Sequence, residues 1–483
     1  MVDEREVTDI IERVRRRVGE PGPQLARRMA VQQELTAPAA AQVGDGVFAT
    51  LNEAVTAARN AFRDQRLDPD RRKVLIEAVR RAALEQAEPL ARLAVEETGL
   101  GRVDDKIVKN RLVAAKTAGP EDLEVLAVSG ANGMMITEWA PFGVVGSITP
   151  VTNPAATIIN NTISIVSAGN AVVFNAHPSA RRTSNAAVRL INRAIVGAGG
   201  PADYVTSVAE PTIESARALM AHPDVRVLLV TGGPGVVREA LKTDKRAITA
   251  GPGNPPVVVD ETADVEKAGA DIVRGASFDN NIVCTDEKTG IAVASVADRL
   301  VRAMAANGAY VLAEHELRRL ERVIFSELGA PGKPGHINTA WVGRDAARIL
   351  AEIGVRPSVE PRLLVAEVPV EHSLVWTEQM MPVLPVVRVP DVAAAIDLAV
   401  RSEHGFRHTA SIHSTNVDTI TRMARAMNCS IFVANGPNYS GLGEGGEGFA
   451  TMSIASPSGD GMTRPRTFSR ERRITVVGAL RIV

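Results

Sequence analysis

One stretch of the sequence, S-F-D-N-N-I-V-C-T-D-E-K at residues 277–288, contains one of the two cysteines of the chain. A thiolate attacks carbonyl carbon readily, so Cys284 in this small, polar and amide-rich setting is a candidate covalent catalyst. A cysteine beside Ile282 and Val283 is also typical of a buried core position, so this stretch alone leaves both interpretations open. Cys429, in the apolar run N-C-S-I-F-V, fits a core position better.

Charged residues follow the cysteine directly. A carboxylate near a thiol opposes the loss of its proton, whereas a nearby cation favours that loss. We therefore expect Asp286 and Glu287 to face away from Cys284, and either Lys288 or a positively charged ring of a bound ligand to favour the thiolate.

The composition is that of a folded protein of about two or three domains, since 45% of the 483 residues are hydrophobic and 23% are charged. A net charge of −1 gives no basic field for nucleic acid. No apolar run reaches the roughly 18 residues of a membrane-spanning helix. Two cysteines and no signal peptide predict a reducing cytoplasm, and the absence of clustered ligands predicts no metal site.

The first 18 residues predict a short amphipathic helix, whose apolar positions form one helical stripe of Val7, Ile10, Ile11, Val14 and Val18. Residues 19–45, rich in Ala, Gln and Pro, predict a linker. Because so short a helix is marginal alone, its apolar face needs a surface on its own subunit or on a partner.

The remaining sequence alternates strands with helices. Helical patterns cover Leu51–Phe62 and Pro69–Glu97, and a hairpin pattern covers Leu126–Ala140. Buried strands are predicted at Gly143–Ile148, Ala171–Phe174, Tyr204–Val208 and Val225–Val230, with helices beginning near Ala155, Arg182, Ile213 and Val236. This alternation predicts a doubly wound parallel α/β sheet with a ligand crevice at the carboxyl ends of its strands.

A second series of strands and helices follows the Gly/Pro-rich segment Ala250–Pro256, which we interpret as a domain boundary. It predicts a strand at Val257–Asp260, a helix at Ala263–Ala276 and a strand near Ile291–Ala294. A last strand, Ile474–Val477, is long enough to pair with the earlier hairpin.

Two loops at predicted strand ends contain candidate ligand contacts. The turn T-G-G-P-G-V-V at Thr231–Val237 lets backbone approach a ligand and offers helix N–H groups to a phosphate. The third glycine of G-x-G-x-x-G is missing, so a purely structural turn fits equally well. The loop T-P-V-T-N-P, from Thr149, places the Asn153 amide, a candidate oxyanion donor, at the same sheet edge. Asparagine before proline is also a common turn former.

Six segments in order resemble the aldehyde dehydrogenase superfamily over residues 46–473: P-F-G-V-V-G-S-I-T-P-V-T-N-P, S-A-G-N-A-V-V-F-N-A-H-P, V-T-G-G-P-G, S-F-D-N-N-I-V-C, T-E-Q-M-M-P-V-L-P and F-V-A-N-G-P-N-Y-S-G-L-G. More narrowly, they are similar to its CoA-acylating branch, the propionaldehyde and acetaldehyde dehydrogenases of bacterial microcompartments. The resemblance implies a Rossmann-type cofactor-binding domain, an α/β catalytic domain and a small β oligomerisation flap.

The resemblance also implies the site residues. Cys284 matches the nucleophile, with its backbone N–H as an oxyanion donor, and Asn153, or Thr152 by strict loop alignment, matches the oxyanion-stabilising amide. The implied contacts of the NAD cofactor are Thr149, Pro150, Val151, Thr152, Asn175, His177, Pro178, Thr231, Gly232, Gly233, Val236, Gly251 and Glu378. Within this set, Thr231–Gly233 match the nicotinamide and pyrophosphate turn, residues 175–178 the adenosine-side loop, and Glu378 the contact to the nicotinamide ribose.

This chain departs from the hydrolytic members of the superfamily at two places. Thr249 stands where they have a glutamate general base, so the acyl-enzyme thioester would wait for the thiol of coenzyme A. Asn175 and Pro178 replace their lysine and glutamate, which leaves the choice between NAD and NADP open. The resemblance thus implies oxidation of a short aliphatic aldehyde to acyl-CoA. A hydrolytic enzyme and a non-catalytic microcompartment protein are the alternatives, and His404 and His408 have no assigned role.

The implied domains are a dinucleotide-binding domain at 46–250, with 123–140 in the oligomerisation hairpin, a catalytic domain at 251–445 and a completing segment at 446–483. Residues 1–18 resemble encapsulation peptides. The implied partners are therefore the aldehyde, coenzyme A, a microcompartment shell protein and further copies of the chain, as a dimer or tetramer. The implied location is the cytoplasm, inside a bacterial microcompartment.

Overall fold

The computed structural model describes residues 43–64 and 67–481, so the predicted helix at 1–18 and most of the linker lie outside the described residues. The strands are β1 Val47–Phe48, β2 Leu126–Gly130, β3 Gly133–Pro141, β4 Val144–Ile148, β5 Ala171–Asn175, β6 Val205–Val208, β7 Val225–Thr231, β8 Arg246–Ala250, β9 Pro256–Val259, β10 Thr289–Val293, β11 Ala309–Val311, β12 Phe325–Glu327, β13 His336–Ile337, β14 Leu363–Glu367, β15 Val383–Val389, β16 Thr409–His413, β17 Ile431–Ala434, β18 Ile454–Ala455, β19 Gly461–Met462 and β20 Ser469–Val477. The α-helices span Leu51–Asp64, Pro69–Glu85, Ala87–Thr98, Val103–Lys116, Pro154–Ser167, Arg181–Gly197, Ile213–Ala221, Pro234–Leu241, Val265–Ala276, Ala294–Ala306, Glu314–Ile324, Ala346–Glu352, Ser373–Trp376, Val392–Ser402 and Val417–Met427.

The first sheet has six parallel strands in the order β1-β6-β5-β4-β7-β8. The four strands predicted from the sequence all lie in it, and β4 and β5 are buried at every residue. Such uniform burial is expected of a parallel sheet that helices cover on both faces. The strand order reverses at β4, which pairs with β5 on one side and with β7 on the other. The carboxyl ends of these three strands therefore open the crevice where such sheets bind ligands.

The second sheet has seven parallel strands in the order β11-β14-β15-β10-β9-β16-β17. Its strands β9 and β10 confirm the second predicted series. The prediction that β10 extends to Ala294 was wrong, because Ala294 begins the helix that follows. Cys284 lies in the loop between the helix Val265–Ala276 and β10.

A third, antiparallel sheet consists of β2, β3 and β20. The predicted pairing of the final strand with the hairpin is confirmed, and it runs from Ser469↔Pro141 to Val477↔Gly133. The strand is longer than predicted because its first half is charged and does not show the apolar alternation by which strands are read.

The helical pattern predicted at Pro69–Glu97 is two helices, which meet at Gln86. Pro89, in the first turn of the second helix, cannot donate to the carbonyl four residues earlier, which explains the break. Gly99, with φ of 65°, ends the second helix. The helix Val103–Lys116 was not predicted. Within residues 43–64 and 67–481, none of the helices is long and apolar enough to span a bilayer.

Candidate active site

The loop before Cys284 has an unusual backbone. Asp279, Asn280 and Asn281 all adopt positive φ, at 45°, 56° and 63°. The left-handed conformation costs an L-residue about 1–2 kcal/mol, although Asn and Asp tolerate it better than most. Buried hydrogen bonds hold it here: Asn280 Nδ2 donates to the Gly343 carbonyl at 2.9 Å, and Asn281 Nδ2 to the Ala276 carbonyl at 2.7 Å. Tertiary contacts thus fix the approach to the half-buried Cys284.

The surroundings of Cys284 favour its neutral thiol. Burial raises the pKa of this thiol to about 12, the Glu378 and Asp286 carboxylates add to that rise, and Lys288 opposes it. The thiolate needed for attack on a carbonyl therefore depends on positive charge near the sulfur. Cys429 instead packs partly into the core, with its Sγ bonded to the Ile431 carbonyl at 3.0 Å, as predicted.

The prediction that Asp286 and Glu287 face away from the cysteine was only partly correct. Both are completely buried, because each carboxylate accepts a backbone N–H group, one within the loop and one outside it. Asp286 accepts from the Val283 N–H at 3.2 Å and raises the pKa of the nucleophile. Glu287 turns to the Asn438 N–H at 2.7 Å.

Lys288 lies under the loop and acts on it as expected. Its Nζ donates to the carbonyl oxygens of Asn281 and Val283, both at 3.0 Å, and its side chain is completely buried. The ammonium group thus ties the two sides of the loop together. Its charge lowers the pKa of Cys284, which favours the thiolate.

Asn153 is the last residue before the helix Pro154–Ser167 and is 7% exposed. Its Nδ2 donates to Thr152 Oγ1 at 3.1 Å, while its Oδ1 accepts from Lys109 Nζ. Lys109 and Lys106 both contact the Asp279 carboxylate, and Lys106 also donates to the Thr152 carbonyl at 3.2 Å. The two lysines therefore join the Asn153 loop to the loop that positions Cys284.

The nucleotide crevice brings together the ends of β4, β5 and β7. Thr149 follows β4, and its buried Oγ1 has no hydrogen-bond partner among the described residues. Thr231 ends β7, and Gly233 precedes the helix Pro234–Leu241, which begins two residues before the predicted Val236. Gly233 is exposed, with open space where a Cβ would lie, so a ligand can approach its backbone. These features fit the phosphates of a dinucleotide.

The other predicted cofactor residues differ in how accessible they are. Asn175 is buried, and its amide is used internally, accepting from Ser215 Oγ at 2.5 Å and donating to the Thr212 carbonyl at 3.4 Å. Its side chain is therefore occupied, whereas His177 and Pro178 are exposed at the rim. Half-buried positions in the crevice are Pro150, Val151, Gly232, Val236 and Gly251.

Gly253 lies where two side chains and the Cys284 backbone carbonyl converge. Its N–H donates to the Glu378 carboxylate at 3.4 Å. A Cβ on Gly253 would lie 2.8 Å from the Cys284 carbonyl oxygen and 3.0 Å from Cγ of His408. Burial and Lys288 lower the pKa of His408 to about 3, so its imidazole is neutral at physiological pH.

His404 is exposed, and its Nε2 is 2.8 Å from the Trp376 carbonyl oxygen.

Thr249 lies in β8 and is completely buried. Its N–H donates to Ser458 Oγ at 3.1 Å. The carboxylate that acts on Cys284 from outside its loop is thus Glu378, not a residue at position 249. In the part of the chain that the structure describes, no cluster of His, Cys, Asp and Glu suits a metal ion.

The candidate nucleophile Cys284, the candidate amide donor Asn153 and a crevice that fits a dinucleotide are together the arrangement expected of an aldehyde-oxidising class of protein. The family model described as the aldehyde dehydrogenase family matches residues 23–319 and 354–449. The chain belongs to this family, and the fold predicted from the resemblance is confirmed.

Two relatives indicate a narrower group. The acetaldehyde dehydrogenase (acetylating) EutE of Salmonella typhimurium is 51% identical over 439 residues, which cover 91% of this chain and 94% of that protein. The propanal dehydrogenase (CoA-propanoylating) of the same organism is 43% identical over 460 residues, covering 94% of this chain and 98% of that protein.

Solved structures agree with this grouping. Rhodopseudomonas palustris propionaldehyde dehydrogenase, solved with bound CoA and an acylated cysteine, has a TM-score of 0.88 and 47% identity over 91% of this chain and 100% of that one. A propionaldehyde dehydrogenase from the Clostridium phytofermentans fucose utilisation microcompartment has a TM-score of 0.87 and 45% identity, with coverage of 91% and 100%. An engineered glycolyl-CoA reductase with bound NADP+ has a TM-score of 0.87 and 47% identity, with coverage of 92% and 100%.

Lys106 and Lys109 are the site residues that the sequence analysis missed. A usable signal was present, because residues 106, 109 and 113 share one face of a helix, and Val113 is apolar. Lysines on an apolar stripe of a helix indicate burial with a charged partner, since an unpaired buried ammonium group is costly.

Proposed function

We propose that this chain is a CoA-acylating aldehyde dehydrogenase that oxidises a short-chain aliphatic aldehyde to acyl-CoA with NAD. One observation carries the proposal: the chain has a threonine, Thr249, at the position where the resemblance places the carboxylate that activates water in hydrolytic members of the family. The acetylating and CoA-propanoylating names of the relatives support it. So does the related structure with CoA and an acylated cysteine.

The first step is attack of the Cys284 thiolate on the aldehyde carbon, which forms a carbon–sulfur bond and turns the carbonyl oxygen into an oxyanion. Asn153 Nδ2 and the backbone N–H of Cys284 stabilise that oxyanion. A bound nicotinamide ring supplies a hydride acceptor and a positive charge that favours the thiolate. Thr231–Gly233 would hold the dinucleotide, with Glu378 at the nicotinamide ribose. NAD is the proposed cofactor, although a related structure holds NADP+.

The second step is transfer of the acyl group. Once the hydride has left, Cys284 carries the acyl group as a thioester, whose carbonyl oxygen again faces Asn153. The thiolate of coenzyme A attacks this carbonyl carbon, and the bond to Cys284 breaks, so that the cysteine leaves as a thiolate. One thioester replaces another, so the exchange is nearly balanced and runs in both directions. Thr249 offers no carboxylate to take a proton from water, which keeps hydrolysis slow.

A direct test follows NADH absorbance with propanal in the presence and absence of coenzyme A. We expect the wild-type chain to require coenzyme A, Cys284→Ala to lose turnover, and Cys429→Ala to keep most of it. Release of free acid by the wild type at the same rate without coenzyme A would overturn the proposal. A chain that binds a shell protein but never turns over an aldehyde would instead be a non-catalytic homologue.

We also propose that residues 1–18 tether the enzyme to a microcompartment shell. The related enzyme of a fucose utilisation microcompartment supports this location. Burying about four aliphatic side chains of the stripe at roughly 1.5–3 kcal/mol each, less the cost of ordering the helix, gives a modest affinity that many copies would amplify. Deleting residues 1–20, or replacing Ile10 and Val14 by Glu, should abolish co-purification with shell protein and leave turnover unchanged. A large fall in the melting temperature of the truncated chain would contradict this role, because the helix would then stabilise its own subunit.

The antiparallel sheet is the proposed contact between copies of the chain, as part of a dimer or tetramer. Its strands expose a group of apolar side chains, which are Leu126, Val128, Ile474 and Val477. The domain limits at 46–250, 251–445 and 446–483, with 123–140 in the hairpin, belong to the same proposal. Sedimentation of Ile474→Glu should show a smaller assembly than that of the wild type, and an unchanged assembly would exclude this sheet as the contact.

A further inference from the structure

A buried cluster of three charged side chains lies behind Asn153. Lys106 and Lys109 are three residues apart on the helix Val103–Lys116, and both ammonium groups contact Oδ2 of Asp279. The three residues are 3%, 2% and 0% exposed. Lys109 also donates to Oδ1 of Asn153, whereas Lys106 donates to the backbone carbonyl of Thr152. The two lysines thus share a counter-ion but differ in their second partner.

The chemistry of the ammonium group decides which way the Asn153 carboxamide points. A lysine ammonium has three donors and no acceptor, so it can face the oxygen of a carboxamide but not its NH2 group. With Oδ1 held by Lys109, Nδ2 must point to the opposite side. There it donates to Thr152 Oγ1 at 3.1 Å, its one acceptor among the described residues. The second hydrogen of Nδ2 has no acceptor among the described residues, so it is available to an oxygen atom of the substrate.

The cluster places two ammonium groups on one carboxylate. Burial lowers the pKa of Lys106 to about 8, and Asp279 opposes this shift. The field of the cluster extends to the cysteine loop: burial raises the pKa of Asp286 most, Lys109 opposes that rise, and Asp279 adds to it. A positive charge bonded to Oδ1 polarises the carboxamide and makes Nδ2 of Asn153 a stronger donor.

We propose that Lys109 is a positioning residue of the oxyanion site, whose ammonium group orients and polarises the Asn153 carboxamide so that Nδ2 faces the oxygen of the bound aldehyde. The inference rests on the proposed function, in which Asn153 stabilises the oxyanion. Lys109 acts through Asn153 rather than on the substrate itself.

The test is a double-mutant cycle of Lys109→Met and Asn153→Ala, with kcat and KM measured for propanal and coenzyme A. Lys109→Met should fold, because Asp279 keeps bonds to Lys106 at 2.9 Å and to the Arg102 N–H at 2.7 Å. Loss of one oxyanion donor lowers kcat about 10²- to 10³-fold. We expect a loss of about 10²-fold in each single variant, KM nearly unchanged, and little further loss in the double variant. Losses that multiply in the double variant would overturn the proposal.

Lys106→Met is the matched control, because it removes an equally buried ammonium group from the same carboxylate but leaves the bond between Lys109 and Asn153. We expect it to lose less than about tenfold in kcat. Lys109→Gln, which retains an N–H donor without the charge, should recover part of the activity lost in Lys109→Met. Equal losses in Lys106→Met and Lys109→Met would mean that the cluster is only structural.

Alkylation of Cys284 by iodoacetamide forms no oxyanion, so its rate depends on the Cys284 thiolate and not on the Asn153 carboxamide. Comparing it with turnover therefore separates an effect on Asn153 from an effect on Cys284. Lys109→Met should be alkylated within about threefold of the wild-type rate while its turnover falls about 10²-fold. Parallel losses in both reactions would refute a role through Asn153. A wild-type chain without CoA-dependent turnover would refute the proposed function instead. That result is measured on the wild type alone, so it is distinct from any result with a Lys109 variant.

Discussion

Replacing Glu378 by glutamine removes the negative charge that most opposes the Cys284 thiolate. With a pKa of about 12, roughly one Cys284 in 10⁴ is a thiolate at pH 8 in the protein without cofactor. A nearby charge shifts a pKa by about 1–3 units, and we take the lower end here because burial, the larger cause, remains in the variant. The pKa of Cys284 should therefore fall by about one unit, and its alkylation at pH 8 should become about tenfold faster.

The assay follows the mass of the Cys284 peptide during iodoacetamide treatment, which distinguishes it from Cys429. Below the pKa, the logarithm of the rate should rise by about one per pH unit in both proteins, with the Glu378→Gln line displaced upward. Glu287→Gln is the control, because that carboxyl is also near the loop but bonded to the Asn438 N–H, and it should change the rate less than about threefold. An unchanged or slower rate in Glu378→Gln would refute the electrostatic account of the thiol.

Three further changes test other parts of the site. Thr249→Glu should raise CoA-independent release of free acid, measured by product analysis, by up to about 10²- to 10⁴-fold where the geometry suits a general base; no increase would place position 249 out of reach of the thioester. Gly253→Ala should lower kcat/KM at least about tenfold, because the added methyl group meets the Cys284 carbonyl oxygen at 2.8 Å; wild-type kinetics would show that this loop yields freely. Asp279→Ala leaves two buried ammonium groups without their carboxylate and should lower the free energy of unfolding in urea by about 3–5 kcal/mol; a change below about 1 kcal/mol would show that water reaches the lysines.

The sequence predicted the parts of the fold that depend on apolar runs of regular length. The strands β4, β5 and β7 alternate with helices along the chain, and most of their buried residues are aliphatic. Short or polar elements were harder to predict: β1 has two residues, and β8 begins with the exposed Arg246. The pairing of such strands depends on neighbours that are distant in the sequence.

The residues of the candidate site also differ in how far the sequence could predict them. Cys284 and Asn153 have side chains whose chemistry is visible in the sequence, and the structure connects their loops. Lys106 and Lys109 lie in V-D-D-K-I-V-K-N-R-L, a run so rich in charge that the helix face they share with Val113 is easily overlooked. Their burial depends on Asp279, and no local pattern relates residues so far apart in the chain. Thr249 supports the proposed CoA-dependent activity in a different way, through a carboxylate that is absent from this position.

The left-handed turn before the nucleophile has a consequence for exchanging segments between members of the family. Gly101, with φ of 74°, leaves room for the Asp279 carboxylate, which any side chain at that position would overlap. Asp279 in turn holds Lys106, Lys109 and the Arg102 N–H. Residues 99–109 and 277–284 therefore form one interlocking unit from two distant parts of the gene. A chimera whose crossover separates them would inherit a cysteine loop fitted to the other parent's helix, so the two segments should be exchanged together.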